Sequence, residues 1–346
     1  MRTISKKPHA AFLILAHNEA GVITRSVSSA ASCLAQGDVI IVVADNCTDD
    51  TAGIASRAGA QVLIRKSMNA GGKAEALSWF IERHFELISD HSMIIVLDAD
   101  SRVEANFMEI IRKKAVGSDC SYQCFVFPES QPKSYIGKLA ALSELLDQLI
   151  SDRIRTSLHW PVRLRGTGMV IRPQHLHMVA RHLQSEVEDI ALSLLFSSEG
   201  IRIERIDDAL VFDPKPQTTR DAANQRARWF RGQWTAAWQY RKQIIKMAAR
   251  GPAHWSLLSS LFLKPKWLFL LAGLMLAILL SHWPWLSIPF WLLAALGVLY
   301  LICGLIALPD RKDYLRALVF LPAFVWMWIR GIISSMQSSS WRRARE

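Results

Sequence analysis

The chain has no CxxC pair. Its five cysteines, Cys33, Cys47, Cys120, Cys124 and Cys303, stand apart, and no histidine lies at ligand spacing from Cys120 and Cys124. That pattern argues against a structural zinc and a disulfide framework, and the thiols read as reduced in a cytosolic compartment. The basic stretch Met1 to Pro8 lacks an apolar core, so no signal peptide is expected. No glycine spacing matches GxGxxG or a P-loop, which leaves out the common dinucleotide and nucleoside-triphosphate signatures. Acids are scarce from Lys215 to Lys266, where Asp221 stands against eleven Lys or Arg. Between Lys266 and Asp310 there is no charged side chain for 43 residues.

What is present follows from these gaps. The 346 residues suffice for one large domain and an appendage, and 51% are hydrophobic. The net charge is +11, and the window from Lys215 to Lys266 supplies nearly all of it. A basic, Trp-rich stretch ahead of an apolar tract fits a surface lying on anionic lipid, and the adjoining tract argues against nucleic acid. At about 20 residues per span, the uncharged tract holds two helices. These are expected at about Trp267 to Leu280, extended at its start, and Ile288 to Leu308, with a turn at Ser281 to Trp285. Lys264 and Lys266 precede the hairpin and Arg311 and Lys312 follow it, so both ends are expected to be cytosolic. The run Ala317 to Ile329 is short and fits an interfacial or re-entrant helix. The tail with Arg342, Arg343 and Arg345 is expected to be cytosolic.

The first part of the chain alternates strands and helices. Strands are expected at His9 to Ala16, Val39 to Ala44, Gln61 to Ile64 and Met93 to Leu97, which argues for a parallel doubly wound sheet. Ligands bind such sheets beyond the carboxyl ends of the strands, where Asn18, Glu19, Asp45 and Asp98 fall. Asp98 and Asp100 would share one face if the strand stayed extended. Two such carboxylates repel unless a cation lies between them, and hard oxygen ligands suit Mg2+ or Mn2+. The alternative is a surface turn. Asn69 to Lys73 is either a phosphate cradle ending in Lys73 or an ordinary loop. Gly166-Thr167-Gly168 follows Arg163 and Arg165 and leads into a strand, Met169 to Ile171. Ser185 and Glu188 have capping-box spacing, with Gly200 as the stop. Glu188 and Asp189 would occupy the first helical turn, as a base kept ionised by the helix dipole or as a cap alone. Thr218 to Met247 reads as one helix carrying Gln225, Arg228 and Trp229, with Trp234 and Trp238 nearly on one stripe.

Taken together these residues resemble glycosyltransferase family 2, in the membrane-associated branch that includes the cellulose, chitin, hyaluronan and poly-N-acetylglucosamine synthases. Asp98-Ala99-Asp100 looks like the family DxD, Glu188-Asp189 like its ED, and Gln225, Arg228 and Trp229 like its QxxRW. His17-Asn18-Glu19 resembles the first-strand loop. Asp45 stands where the family carries an Asp against the nucleotide base. The resemblance implies a GT-A fold and an inverting transfer from a nucleotide-sugar donor, usually UDP-linked. It implies that Asp100, with Asp98, holds Mg2+ or Mn2+ on the diphosphate. Asp189 would then be the general base. Arg228 and Trp229, with Gln225, would serve the diphosphate and acceptor, and Asn18, Glu19, Asp45, Lys73, Asp98 and Gly166 the donor.

The expected division is a tail at 1–8, a GT-A domain at 9–228 and amphipathic interfacial helices at 229–262. Two transmembrane helices follow at 263–308, then an interfacial or re-entrant helix and basic tail at 309–346. The chain is expected to sit in the inner or plasma membrane with its catalytic domain in the cytoplasm. Its partners would be the donor, a lipid-linked or saccharide acceptor, anionic lipid and other polysaccharide-assembly proteins. Two spans cannot enclose a polar conduit, so transfer of one or a few sugars to a lipid-linked acceptor is expected. A processive synthase subunit, a nucleotidyl- or phospho-transferase and a non-catalytic scaffold are the alternatives.

Overall fold

The structure is a computed structural model that describes residues 9–67, 72–129, 134–183, 187–215, 219–263, 266–308 and 311–337. Asn69, Ala70, Gly71, Ser185, Lys264 and the Arg342, Arg343, Arg345 tail lie outside the described residues. The chain divides into two compact units. One comprises Met1–Glu129, His159–Pro214 and Thr235–His254, and the other Ser130–Leu158, Lys215–Trp234 and Trp255–Glu346.

The first unit is built on an eight-stranded sheet. Its strands are β1 (Ala10–Ala16), β2 (Val39–Asp45), β3 (Gln61–Arg65), β4 (Met93–Asp98), β5 (Arg102–Val103), β6 (Ser121–Pro128), β7 (Met169–Ile171) and β8 (Ile203–Asp213). They lie in the order β3-β2-β1-β4-β7-β6-β8-β5. Every residue of β1 is buried, as expected of a strand covered on both faces. The helix Ile23–Ala31 buries Ile23, Val27 and Ala30 at helical spacing, and Phe107–Ala115 buries Phe107, Met108 and Ile111. Both helices belong to one core with Phe12, Ile14, Ile95 and Leu97.

The expected parallel pairing holds through β3-β2-β1-β4 and again between β6 and β8, but not across the whole sheet. β7 runs antiparallel between β4 and β6, and β5 antiparallel beside β8. The chain leaves β6 and re-enters at β7 from the same edge of the sheet. Without a crossover, the returning strand must run the other way.

Gly168 closes this return. Its φ of +65° is left-handed, and a Cβ there would sit 2.7 Å from Val211 Cγ2 on β8. Its carbonyl accepts a hydrogen bond from the Cys124 N–H at 2.8 Å.

In the second unit, Tyr135–Leu146 continues through a π-helical turn, Asp147–Asp152, into Arg153–Ser157. The hairpin forms, but its arms are unequal. Lys266–Leu279 has 14 residues, about 21 Å at 1.5 Å per residue and short of a bilayer core. Pro284–Ile306, with 23, is the one helix among the described residues long and apolar enough to cross a membrane. Pro284 takes the first helical position, which ends the turn at Trp283. The arms approach closely at Gly297, where a Cβ would lie 2.5 Å from Leu270 Cδ2. The third apolar run forms the helix Leu321–Gln337, which buries Phe324, Met327 and Trp328.

The expected single helix from Thr218 to Met247 is two, Thr219–Gln239 and Arg241–Ala248. Tyr240 leaves helical geometry at the join, where its buried hydroxyl donates to the His182 carbonyl at 2.8 Å. Trp234 and Trp238 are exposed while Trp229 is half-buried, so the three do not form one stripe.

Gly168→Ala is expected to cost about 2–4 kcal/mol, from left-handed strain plus overpacking against Val211. Denaturant titration of the purified protein checks this, and an unchanged midpoint would refute the account.

Candidate active site

The carboxyl edge of the sheet gathers acids from distant parts of the chain. Asp98 is the last residue of β4, and the chain turns at Ala99 and Asp100. The expected extended geometry therefore stops at Asp98. The two carboxylates still converge, because the turn folds Asp100 back. Asp213, at the end of β8, joins them, and ligand oxygens of Asp98, Asp100 and Asp213 all lie within 4.8 Å of one another. A run of hydroxyls sets this spacing. The Asp98 N–H donates to Thr167 Oγ1 at 3.2 Å, Thr167 Oγ1 to Ser101 Oγ at 3.0 Å, and Ser101 Oγ to Asp213 Oδ1 at 3.3 Å. Three hard oxygen donors so close fit a divalent cation with room for water and phosphate oxygens.

Lys73 supplies positive charge at the same place. Its Nζ donates to Asp98 Oδ1 at 2.5 Å. Burial works against its charge, but Asp98, Glu188 and Asp100 outweigh that and hold its pKa above the ordinary lysine value.

Glu188 and Asp189 open the helix Glu188–Glu199, and Gly200 caps it in left-handed geometry. Asp189 Oδ1 accepts from the Ile190 N–H at 2.8 Å. Glu188 is buried, and burial pushes its carboxyl up to about 7, with Asp189 and Asp98 adding to the rise and Lys73 opposing it. Gly166, with φ +85°, leaves space for it, since a Cβ there would stand 3.3 Å from Glu188 Oε1.

Asp45, Asn18 and Glu19, expected on the donor side, are each held by a neighbouring residue. Asp45 is the register partner of Arg65 across β2 and β3, and Arg65 Nη1 donates to Asp45 Oδ1 at 2.6 Å. Arg65 Nη2 donates to Glu75 Oε2 at 2.9 Å. Asn18, at φ +52°, accepts the Thr48 N–H at 2.8 Å, and the Glu19 N–H donates to Thr51 Oγ1 at 2.8 Å. Asn46, Cys47, Lys66 and Ser67 line an open pocket at this edge of about 360 Å³.

Residues 93–308 match the family described as Glycosyl transferase family group 2. That is more than half of the chain. The chain belongs to this family of glycosyltransferases. No curated protein matches it. Among solved structures it is similar to the mannosyltransferase PcManGT from Pyrobaculum calidifontis, in complex with GDP-Man and Mn2+. The identity is 13%, the TM-score 0.55, and the match covers 97% of this chain and 89% of that one. It also matches the M. tuberculosis glucosyl-3-phosphoglycerate synthase at 17% identity and TM-score 0.43, over 70% of this chain and 80% of that one. S. aureus TarS 1-349 in complex with UDP follows at 13% identity and TM-score 0.43, over 68% and 65%. At such identities the PcManGT likeness shows the fold, which is GT-A, and nothing about substrates.

In this glycosyltransferase the first unit brings together Asp98, Asp100, Lys73, Glu188 and Gly166 of the expected residues. Gln225, Arg228 and Trp229 lie in the second unit, on the helix Thr219–Gln239. Sequence reasoning missed Asp213, Ser101 and Arg65, and gave Thr167 no role of its own beside Gly166. Asp213 had one local signal, an acid ending the apolar stretch Ala209 to Phe212, as Asp98 ends β4.

The raised Glu188 pKa has a stability consequence. Folding favours the protonated carboxyl, so its contribution is full below the ordinary value of 4.5 and is lost as pH rises to about 7. Without divalent metal, Glu188→Gln is expected to raise the melting temperature at pH 8 and leave it unchanged near pH 4. Thermal melts across that range check it, and a lower melting temperature at pH 8 would contradict the assignment.

Proposed function

We propose that the protein transfers a hexosyl or N-acetylhexosaminyl unit, with inversion, from a nucleotide-sugar to a lipid-linked acceptor at a membrane surface, in envelope polysaccharide assembly. The single observation behind this reading is the convergence of Asp98, Asp100 and Asp213 at the carboxyl edge of the sheet. The donor set fits Mg2+ or Mn2+, and PcManGT, which shares the fold, is known with GDP-Man and Mn2+. The cation would neutralise the charge that develops on the departing diphosphate. Asp98, Asp100 and Asp213 would hold it.

The rest of the chemistry falls to side chains. Asp189, in a first helical turn where the dipole favours the ionised form, takes the proton from the acceptor hydroxyl. Lys73 offers an ammonium to the diphosphate oxygens. Asn18, Glu19, Asp45 and Gly166 shape the donor side. Arg228 and Trp229, with Gln225, serve the diphosphate and the acceptor. The membrane assignment rests on the Pro284–Ile306 helix, the basic Lys215–Lys266 window and the exposed Trp234, Trp238 and Trp255. The functional division of the chain falls at 228, 262 and 308. One candidate spanning helix among the described residues favours one or a few additions over an exported polymer.

Asp189→Asn is expected to keep metal-dependent nucleotide binding and lose transfer by ~100-fold or more, the scale of a general base. Asp100→Ala and Asp213→Ala should instead weaken that binding. Nucleotide release from a donor panel, with calorimetry for binding, separates the two. Near-parental transfer by Asp189→Asn would remove it as the base. Mass spectrometry of products made with excess donor tests length, and a long ladder would refute the short-product reading.

A further inference from the structure

Arg226 occupies one of the two variable positions of the Gln225–Trp229 motif. It is 2% exposed, the largest fully buried side chain among the described residues. Its Nη1 donates to Gln225 Oε1 at 3.3 Å and to the Ala222 carbonyl at 3.2 Å. Its guanidinium lies over the Trp229 ring, 5.3 Å from the centroid. It lies over a second indole as well, Trp328 of the helix Leu321–Gln337, at 5.4 Å. Trp328 is fixed in turn by edge contacts to Phe230 at 5.7 Å and Phe324 at 6.3 Å. All of these residues belong to the second unit.

This arrangement is costly as packing alone. Arg226 Nε and Trp328 Nε1 are buried without a hydrogen-bond partner among the described residues. Burial pushes the guanidinium down to about 10, with Glu144 opposing that fall. An apolar side chain of similar volume would fill the space without those costs. A planar cation does what an apolar chain cannot: it attracts two ring faces at once and so restricts both rings.

We propose that Arg226 and Trp328 are positioning residues for the transfer reaction, holding Trp229 in one orientation and making the Leu321–Gln337 helix a working part of the Gln225–Trp229 motif. The proposal rests on the reading that this motif serves transfer. One face of Trp229 is taken by Arg226. The C-terminal apolar helix thereby acquires a role beyond resting on the bilayer.

The test uses the full chain in nanodiscs, with Arg226→Met, Trp328→Ala, Trp328→Phe and Trp229→Ala. Arg226→Met and Trp328→Ala are expected to lower kcat for transfer ~10-fold or more, the scale of a slight misplacement, with donor KM within about twofold. Trp328→Phe keeps a ring face and should recover most of the rate. In a Trp229→Ala background neither substitution should lower the rate further. An unchanged kcat in Arg226→Met, or losses that multiply with Trp229→Ala, would overturn the proposal. A second readout is independent of turnover. With 5-fluorotryptophan incorporated, the Trp229 fluorine resonance, assigned through Trp229→Phe, should shift or broaden in Arg226→Met. A resonance that stays in place overturns the proposal even if activity falls. A parent protein that turns over no donor overturns the transfer reading instead, and the resonance still decides whether Arg226 orients Trp229.

Discussion

Repulsion among Asp98, Asp100 and Asp213 is the constraint on which the carboxyl edge of the sheet depends. Their ligand oxygens stand within 4.8 Å of one another. At such spacing like charges repel and call for a cation between them. The surroundings take up part of that demand. Lys73 lies on Asp98, and the Thr167 and Ser101 hydroxyls link the strand ends, Thr167 donating to Ser101 and Ser101 to Asp213. Glu188, buried beside this charge, is driven toward its neutral form, while Asp189 next to it accepts the Ile190 N–H in the first turn of the helix. Two adjacent carboxyls thus meet different environments, the usual way in which acid and base roles are divided.

The second unit answers a different problem, that of keeping polar groups satisfied within apolar helices. The π-helical turn Asp147–Asp152 carries Asp147, which pairs with Lys266 at the start of the short hairpin arm. Tyr300 of the long arm donates to Asp147 at 3.2 Å, and Ser151 meets both Tyr300 and Lys266. π-turns widen a helix locally and often mark functional positions. Here the turn begins directly after Leu146 and presents Asp147 and Ser151 to the hairpin. At Leu146 the helix packs so closely that a Cβ on Gly304 would fall inside its side chain.

The strand cores were legible because their signal is local. Ala10–Ala16 and Met93–Asp98 read as buried strands from unbroken apolar runs, and each ends in the loop that carries chemistry. The helix at Glu188 was legible from its acids and its Gly200 stop, and the hairpin from its lack of charge. The lengths of the hairpin arms were less legible. Pro284 could be read as part of a turn or as a first helical residue, and hydropathy does not distinguish the two. The break at Tyr240 was hidden as well, because nothing local prevents a helix there and the contact that makes it is with His182.

The sequence by itself determined which residues end strands, which window is basic, and which tract is apolar, since each is a property of neighbours along the chain. Tertiary structure alone decided that Asp213 joins Asp98, more than a hundred residues earlier, and that Arg65 closes on Asp45. It also decided that β7 runs against β4, and that Trp328 lies over Arg226. These pairings depend on strand order and helix docking. A run of residues carries its own periodicity, but the identity of its distant neighbour is settled only when the sheet and helices pack.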